Sequence, residues 1–124
     1  MFIRIIILFI LGISCNVRSQ ESQTQPSQHD QLNVLRGLYE KFKNGQLSAC
    51  VLRGKPVFTA TLNAYDATIH IYDSAGTLLG TCNYAWGKKA NLCRELKNCE
   101  VVYRIKENVW HQPAVDKYGL ARKD

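Results

Sequence analysis

Histidines are the first residues to consider for catalysis, because histidine is the side chain that most readily exchanges protons near neutral pH. His70 and His111, with Lys88 or Lys89 as a phosphate-binding group, are the residue types that a small basic secreted nuclease needs. A hydrolase that uses His70 or His111 is therefore one hypothesis. The alternative for His70 is structural, since it alternates with isoleucines in a segment typical of a half-buried strand. The chain has no GxSxG, HExxH, Walker or EF-hand motif, so no catalytic residue is assigned.

Carboxylate pairs are the second candidates. Asp66 and Asp73 are seven residues apart, which corresponds to roughly 23 Å in an extended strand. A glycosidase needs its two carboxyl groups about 5–9.5 Å apart, which this pair does not provide. We expect Asp73 to begin a turn and to accept backbone N–H groups. A calcium site using Asn63 and Asp66 is the weaker alternative, and no metal or cofactor is predicted.

One predicted loop contains two aromatic side chains followed by two lysines. These residues are Tyr84, Trp86, Lys88 and Lys89. Such residues are typical of an exposed surface that binds a protein, a peptide or a glycan. The alternative is that Trp86 packs inward and covers a small core.

The N-terminal segment predicts export. Residues 2–13 are apolar except for Arg4, and at about 1.5 Å per residue they span roughly 18 Å of helix, short of the ~30 Å membrane core. This is typical of a secretory signal peptide over residues 1–19. We favour cleavage before Gln20 over lipidation of Cys15, because Gly12 occupies the position where a lipoprotein signal usually has leucine. We expect a periplasmic or extracellular protein, with membrane contact only through a lipid anchor at Cys15.

The cysteines predict two disulfide bonds. Five cysteines are present, and removal of Cys15 with the export segment leaves Cys50, Cys82, Cys93 and Cys99. In an exported domain each bond stabilises the fold by roughly 2–4 kcal/mol. Three pairings are open, and the closeness of Cys93 and Cys99 favours a local bond that leaves Cys50 for Cys82. A zinc site and a free catalytic thiol are the alternatives, but no pair has the CxxC spacing of a zinc site.

The composition is that of a folded domain with scattered positive charge. Hydrophobic residues make up 46% of the chain, which excludes a wholly disordered protein. The net charge is +6, but basic residues occur singly or in pairs along the whole chain. We expect a solvated surface and no nucleic-acid partner.

Periodicity predicts one helix followed by strands. Residues 20–31 are rich in Gln and Ser and are predicted to be a flexible polar tether before a domain at 32–124. An apolar stripe predicts a helix with Asp30 as N-cap and Asn44-Gly45 as a left-handed stop; its members are Leu35, Leu38, Tyr39 and Phe42.

Alternating segments predict strands at 49–52, 57–62, 68–73, 77–82 and 100–106, with turns at 53–56 and 73–76 and a short helix at 90–97. We expect residues 108–120 to be irregular and held to the domain by their aromatic side chains. The fold predicted is α+β, with one N-terminal amphipathic helix packed on a disulfide-linked antiparallel sheet of four or five strands. A small β-barrel with a peripheral helix is the alternative.

The segment between Cys50 and Cys82 carries a recognisable pattern. It contains Gly-Lys-Pro-Val-Phe at 54–58, Asp66, and Tyr-Asp-Ser-Ala-Gly at 72–76. In these residues the chain resembles a group of small secreted or lipid-anchored bacterial domains of unknown function. Members often have a cysteine just before the acidic residue, where this chain has Ala64-Tyr65. The resemblance implies an exported bacterial domain and no catalytic residue.

Together these features predict an exported, non-catalytic binding or envelope-associated module, whose ligand is a protein, a peptide or a glycan. A small secreted hydrolase or nuclease, and an inhibitor of a secreted hydrolase, are the alternatives.

Overall fold

A helix and a six-stranded antiparallel sheet form the part of the chain that the computed structural model describes, residues 27–83 and 91–122. The elements are α1 (Gln28–Phe42), β1 (Gln46–Leu52), β2 (Lys55–Thr61), β3 (Ile69–Asp73), β4 (Leu78–Cys82), α2 (Asn91–Arg94), β5 (Leu96–Arg104) and β6 (Val115–Asp116). The strand order is β4-β3-β2-β1-β5-β6. The α+β class is confirmed, whereas the count of four or five strands is wrong. The sixth strand has two residues, too few to show an alternating pattern.

The N-cap of the first helix lies three residues before the predicted one. Ser27 is its N-cap, and the Ser27 hydroxyl accepts a hydrogen bond of 3.0 Å from the backbone N–H of Asp30. Asp30 is therefore in the first helical turn and is not the cap. Residues 28–31 of the predicted tether are helical, because a capped first turn does not require burial of apolar side chains.

The turn after α1 depends on a close backbone approach. Gly45 is buried and does not have the positive φ that the predicted left-handed stop requires. A Cβ at Gly45 would lie 2.0 Å from the carbonyl oxygen of Thr61. Glycine is thus needed here because the β2 backbone passes against it, and the N–H of Ile105 also donates to the Gly45 carbonyl at 3.1 Å.

Two hairpins organise the centre of the sheet. Arg53 and Gly54 both have positive φ, 52° and 81°, and form a two-residue turn that is tighter than the predicted turn at 53–56. At the next hairpin the Asp73 carboxylate accepts the N–H groups of Ala75 and Thr77, each at 2.9 Å. The predicted turn and the role of Asp73 in it are confirmed.

The sheet has a hydrophobic core on each face. The helix-side core lies under α1, and its buried members are Leu35, Leu38, Phe42, Leu47, Phe58, Ala60, Tyr72, Val102, Tyr103 and Leu120. The disulfide-side core covers the other face, and its buried members are Cys50, Leu52, Val57, Ile71, Cys82 and Cys93. The alternation of side chains along β1, β2 and β3 supplies both faces.

Two disulfide bonds, Cys50–Cys99 and Cys82–Cys93, are present as predicted, but the favoured pairing is wrong. Cys99 lies beside Cys50 because β5 pairs with β1, with an irregular register where Asn98 has a φ of 53°. Cys93 reaches Cys82 because α2 packs against β4. Proximity in the sequence did not decide the pairing, because the pairing of β5 with β1 and the packing of α2 on β4 determine which cysteines meet. Two disulfides indicate an oxidising, extracellular or periplasmic setting.

The Asp116 carboxylate and the buried side chain of Leu120 hold the end of the C-terminal segment. The Asp116 carboxylate accepts the backbone N–H groups of Leu120 at 2.6 Å and Ala121 at 3.0 Å. Leu120 is buried in the helix-side core, whereas the side chain of Tyr118 is 43% exposed. The prediction of aromatic anchoring is therefore wrong for Tyr118.

Candidate binding groove

A groove of about 410 Å³ lies between the first half of α1 and the middle of the sheet. Apolar side chains form most of it, and three polar side chains of the first helical turn form its rim; the residues are Leu32, Leu35, Ala49, Phe58 and Tyr118, with Gln28, His29 and Gln31. Its volume is within the range of natural small-molecule sites, about 300–1,000 Å³. The groove is thus large enough to hold a small ligand.

The sequence builds this groove through helical spacing and one small residue. Leu32 and Leu35 are three residues apart and face the sheet from the same side of α1. Ala49 and Phe58 are directly paired across β1 and β2. Because the alanine side chain is short, it leaves space beside the Phe58 ring that a larger residue would fill.

The groove is absent from the sequence-based predictions, because they assign residues 28–31 to the polar tether. One signal was available. Ser27 and Asp30 have the three-residue spacing of a helix N-terminal capping pattern, which predicts a helix that begins at residue 28. With that start, Gln28, Leu32 and Leu35 fall on one face.

The structure does not bring the two candidate histidines into contact. His70 packs under α1, with its ring centroid 5.4 Å from that of Phe42 and 6.4 Å from that of Tyr72. Its Nδ1 atom is buried and has no hydrogen-bond partner. His111 is exposed in a turn after β5, where it has a φ of 54° and its N–H donates to the Asn108 carbonyl at 3.2 Å. His70 is therefore a packing residue in this arrangement.

The predicted calcium ligands have other roles or partners. The amide of Asn63 donates to the carbonyl of Glu107 and accepts the N–H of Val109, both at 2.8 Å. This side chain thus joins the loop after β2 to the segment after β5, while Asp66 is exposed. Among the described residues there is no group of three or more His, Cys, Asp or Glu side chains that could hold a metal ion.

Tyr84, Trp86, Lys88 and Lys89, the predicted binding surface, lie outside the described residues, as does Cys15. The predictions for the aromatic loop and for the lipid anchor therefore stay predictions.

Ion pairs and buried tyrosines account for the pKa shifts of the described residues. Arg53 donates to Glu95 with an Nη2–Oε2 distance of 3.0 Å, which lowers the pKa of Glu95 and raises that of Arg53. Burial raises the pKa of Tyr103, whose hydroxyl donates to the Lys43 carbonyl at 2.6 Å. None of these groups lines the groove, so each is a structural contact.

Comparison of the chain with protein-family models, with curated proteins and with solved structures finds no significant match. In residues 27–83 and 91–122 no helix has the length and apolar character needed to cross a bilayer. The resemblance at residues 50–82 accordingly remains a prediction.

Proposed function

We propose that this chain is an exported, non-catalytic binding module that holds a small neutral apolar ligand in the groove beside α1. The observation that carries the proposal is the lining of the groove. Leu35 and Phe58 are buried at its wall, and Leu32 is half-buried beside them. An apolar hollow between a helix and a sheet is where an apolar ligand gains most from leaving water.

The lining also indicates the chemistry of the ligand. Among the residues that the structure describes, the lining contains no Asp, Glu, Lys or Arg side chain, so a charged ligand would lose hydration without gaining an ionic partner there. An aromatic ring or a short acyl chain fits against Leu32 and Phe58. A polar end of that ligand would face the amide of Gln28 and the imidazole of His29 at the rim.

Export rests on the apolar segment at residues 2–13 and on the disulfides, which suit an oxidising compartment. One disulfide joins β1 to β5 and the other joins β4 to α2, and such links stabilise a small exported domain. Cleavage before Gln20 would release it in soluble form, whereas lipidation of Cys15 would keep it at the envelope.

The test is a fluorescence titration with the neutral apolar probe N-phenyl-1-naphthylamine. We expect saturable binding by the purified protein and a loss of at least about tenfold in affinity for Ala49→Leu, because the added methyl groups occupy the hollow. Leu32→Gln makes the wall polar and is expected to weaken binding as well. The matched control is Ala64→Leu, which adds the same groups on an exposed loop.

Equal affinity of Ala49→Leu, Leu32→Gln and Ala64→Leu would contradict the proposal, as would the absence of saturable binding by the unmodified protein. Each variant is first shown to unfold cooperatively in urea, so that loss of binding is not loss of fold.

A further inference from the structure

A second pocket, of about 430 Å³, lies on the other flank of α1, between the helix and the C-terminal segment. Charged side chains dominate its lining, which comprises Arg36, Tyr39, Glu40, Lys43, Leu120, Ala121 and Arg122. Three of these residues are cationic and one is anionic. This basic pocket differs in chemistry from the groove, whose described lining is mostly apolar.

The helical side of the basic pocket follows from spacing. Arg36, Glu40 and Lys43 are separated by four and three residues and therefore lie on one face of α1. Lys43 and Glu40 form a loose pair at 3.9 Å with both side chains largely in water, so the lysine charge is only weakly compensated. Arg36 makes no hydrogen bond or ion pair through its side chain within the described residues.

The other side of the pocket is held in place by the C-terminal segment. Asp116 fixes the backbone at Leu120 and Ala121, and the Leu120 side chain is buried. Arg122 then turns back, since its N–H donates to the Gly119 carbonyl at 3.1 Å. Its side chain lies over Gly119, 3.6 Å from the position that a Cβ would take there. Over residues 27–83 and 91–122, the Arg122 guanidinium makes no ion pair either.

Among the described residues, two guanidinium groups and an ammonium group line the basic pocket with a single carboxylate, so the pocket has an excess of positive charge that would attract an anion. Planar guanidinium groups match the geometry of phosphate oxygens and bind them through paired hydrogen bonds. We propose that the basic pocket binds a phosphate group carried on a larger molecule, with Arg36 and Arg122 as its ligands and Lys43 adding positive charge. The pocket volume exceeds that of a lone phosphate, which leaves room for the group that bears it.

The same phosphate chemistry has two sources, a soluble phosphate ester and the headgroup of an anionic lipid. One arm of the test titrates glycerol 3-phosphate into the purified protein by calorimetry at low ionic strength. The other arm sediments the protein with phosphatidylglycerol-containing vesicles and with pure phosphatidylcholine vesicles. Binding in the first arm assigns a soluble ester, and binding to the anionic vesicles alone assigns a headgroup; either result supports the pocket.

Variants decide whether the pocket itself is responsible. Arg36→Gln/Arg122→Gln is expected to weaken binding by at least about tenfold, since each removes charge-assisted hydrogen bonds. Lys41→Gln/Lys55→Gln is the matched control, because it removes the same charge from exposed positions outside the pocket. Glu40→Gln is expected to strengthen binding.

The proposal is overturned if the unmodified protein binds in neither arm. It is also overturned if the control pair weakens binding as much as the arginine pair, because the attraction would then be that of net charge alone. Urea unfolding of each variant separates these outcomes from a loss of fold.

Discussion

The two disulfides differ in the length of chain that each one closes, and this difference predicts unequal contributions to stability. Cys50–Cys99 spans a sequence separation of 49, and Cys82–Cys93 spans 11. In the chain-entropy description, each bond lowers the entropy of the unfolded state and so raises the free energy of unfolding. The increase at 25 °C is about 4 kcal/mol for the longer loop and about 3 kcal/mol for the shorter one. We therefore expect Cys50→Ala/Cys99→Ala to lower the free energy of unfolding by about 1 kcal/mol more than Cys82→Ala/Cys93→Ala.

The packing of the cysteines predicts the opposite order, in which loss of Cys82–Cys93 is the more destabilising. Cys82 and Cys93 are both buried in the disulfide-side core, whereas Cys99 is exposed. The ladder between β1 and β5 also remains when Cys50–Cys99 is removed, while α2 loses its covalent link to β4. If the variant lacking Cys82–Cys93 is the less stable one, the contacts of α2 outweigh loop entropy and the reasoning is refuted.

Urea unfolding of both variants and the unmodified protein measures the difference. The pairing itself is tested by tryptic digestion without reduction, because each of the four cysteines falls in a separate tryptic peptide. We expect peptide 44–53 joined to 98–104, and 54–88 joined to 90–94. A link between 90–94 and 98–104 would show the local bond instead.

Three further results are expected. Gly45→Ala should lower the free energy of unfolding in urea by about 3 kcal/mol, because its Cβ would lie 2.0 Å from the Thr61 carbonyl oxygen. A loss below about 1 kcal/mol would contradict this, since it would mean that the backbone moves to make room. Asn63→Ala should lower the free energy of unfolding by about 1–2 kcal/mol, because its two hydrogen bonds to the segment after β5 are lost. Amide hydrogen exchange should become faster in that segment but not in β2 and β3, and uniform acceleration would contradict this. Because Arg53 lowers the pKa of Glu95 below its ordinary 4.5, the pair should stabilise the fold above that pH and lose its effect as the pH falls through the lowered pKa. Glu95→Gln should therefore flatten the acid side of the stability profile by a small amount, and an unchanged profile would contradict the assignment.

Local patterns were enough to predict the elements near the middle of the chain. The apolar stripe of α1 places Leu35, Leu38 and Phe42 in the helix-side core, as its spacing indicates. The turn at Asp73 follows from a side chain that bonds its own backbone a few residues away. Such features depend on residues that are neighbours in the chain, so their physical causes are visible in it.

Features that depend on distant residues were predicted poorly. The requirement for glycine at 45 arises from a strand sixteen residues later, and no local φ preference reveals it. The groove depends on Ala49 of β1 lying opposite Phe58 of β2 and under Leu35 of α1. The basic pocket likewise brings together Arg36 and Arg122, and all six strands lie between these two residues in the sequence.

By itself the sequence determined the α+β class, the amphipathic helix, the hairpins and the presence of two disulfides. Only the tertiary structure decided which cysteines pair, where the sixth strand lies and which side chains meet around α1. The physical reason is that helical and alternating patterns report how each segment buries one face, which is a local balance of burial and backbone geometry. Strand order and register are set by the sum of contacts between segments far apart, such as the irregular pairing near Asn98 that brings Cys99 to Cys50.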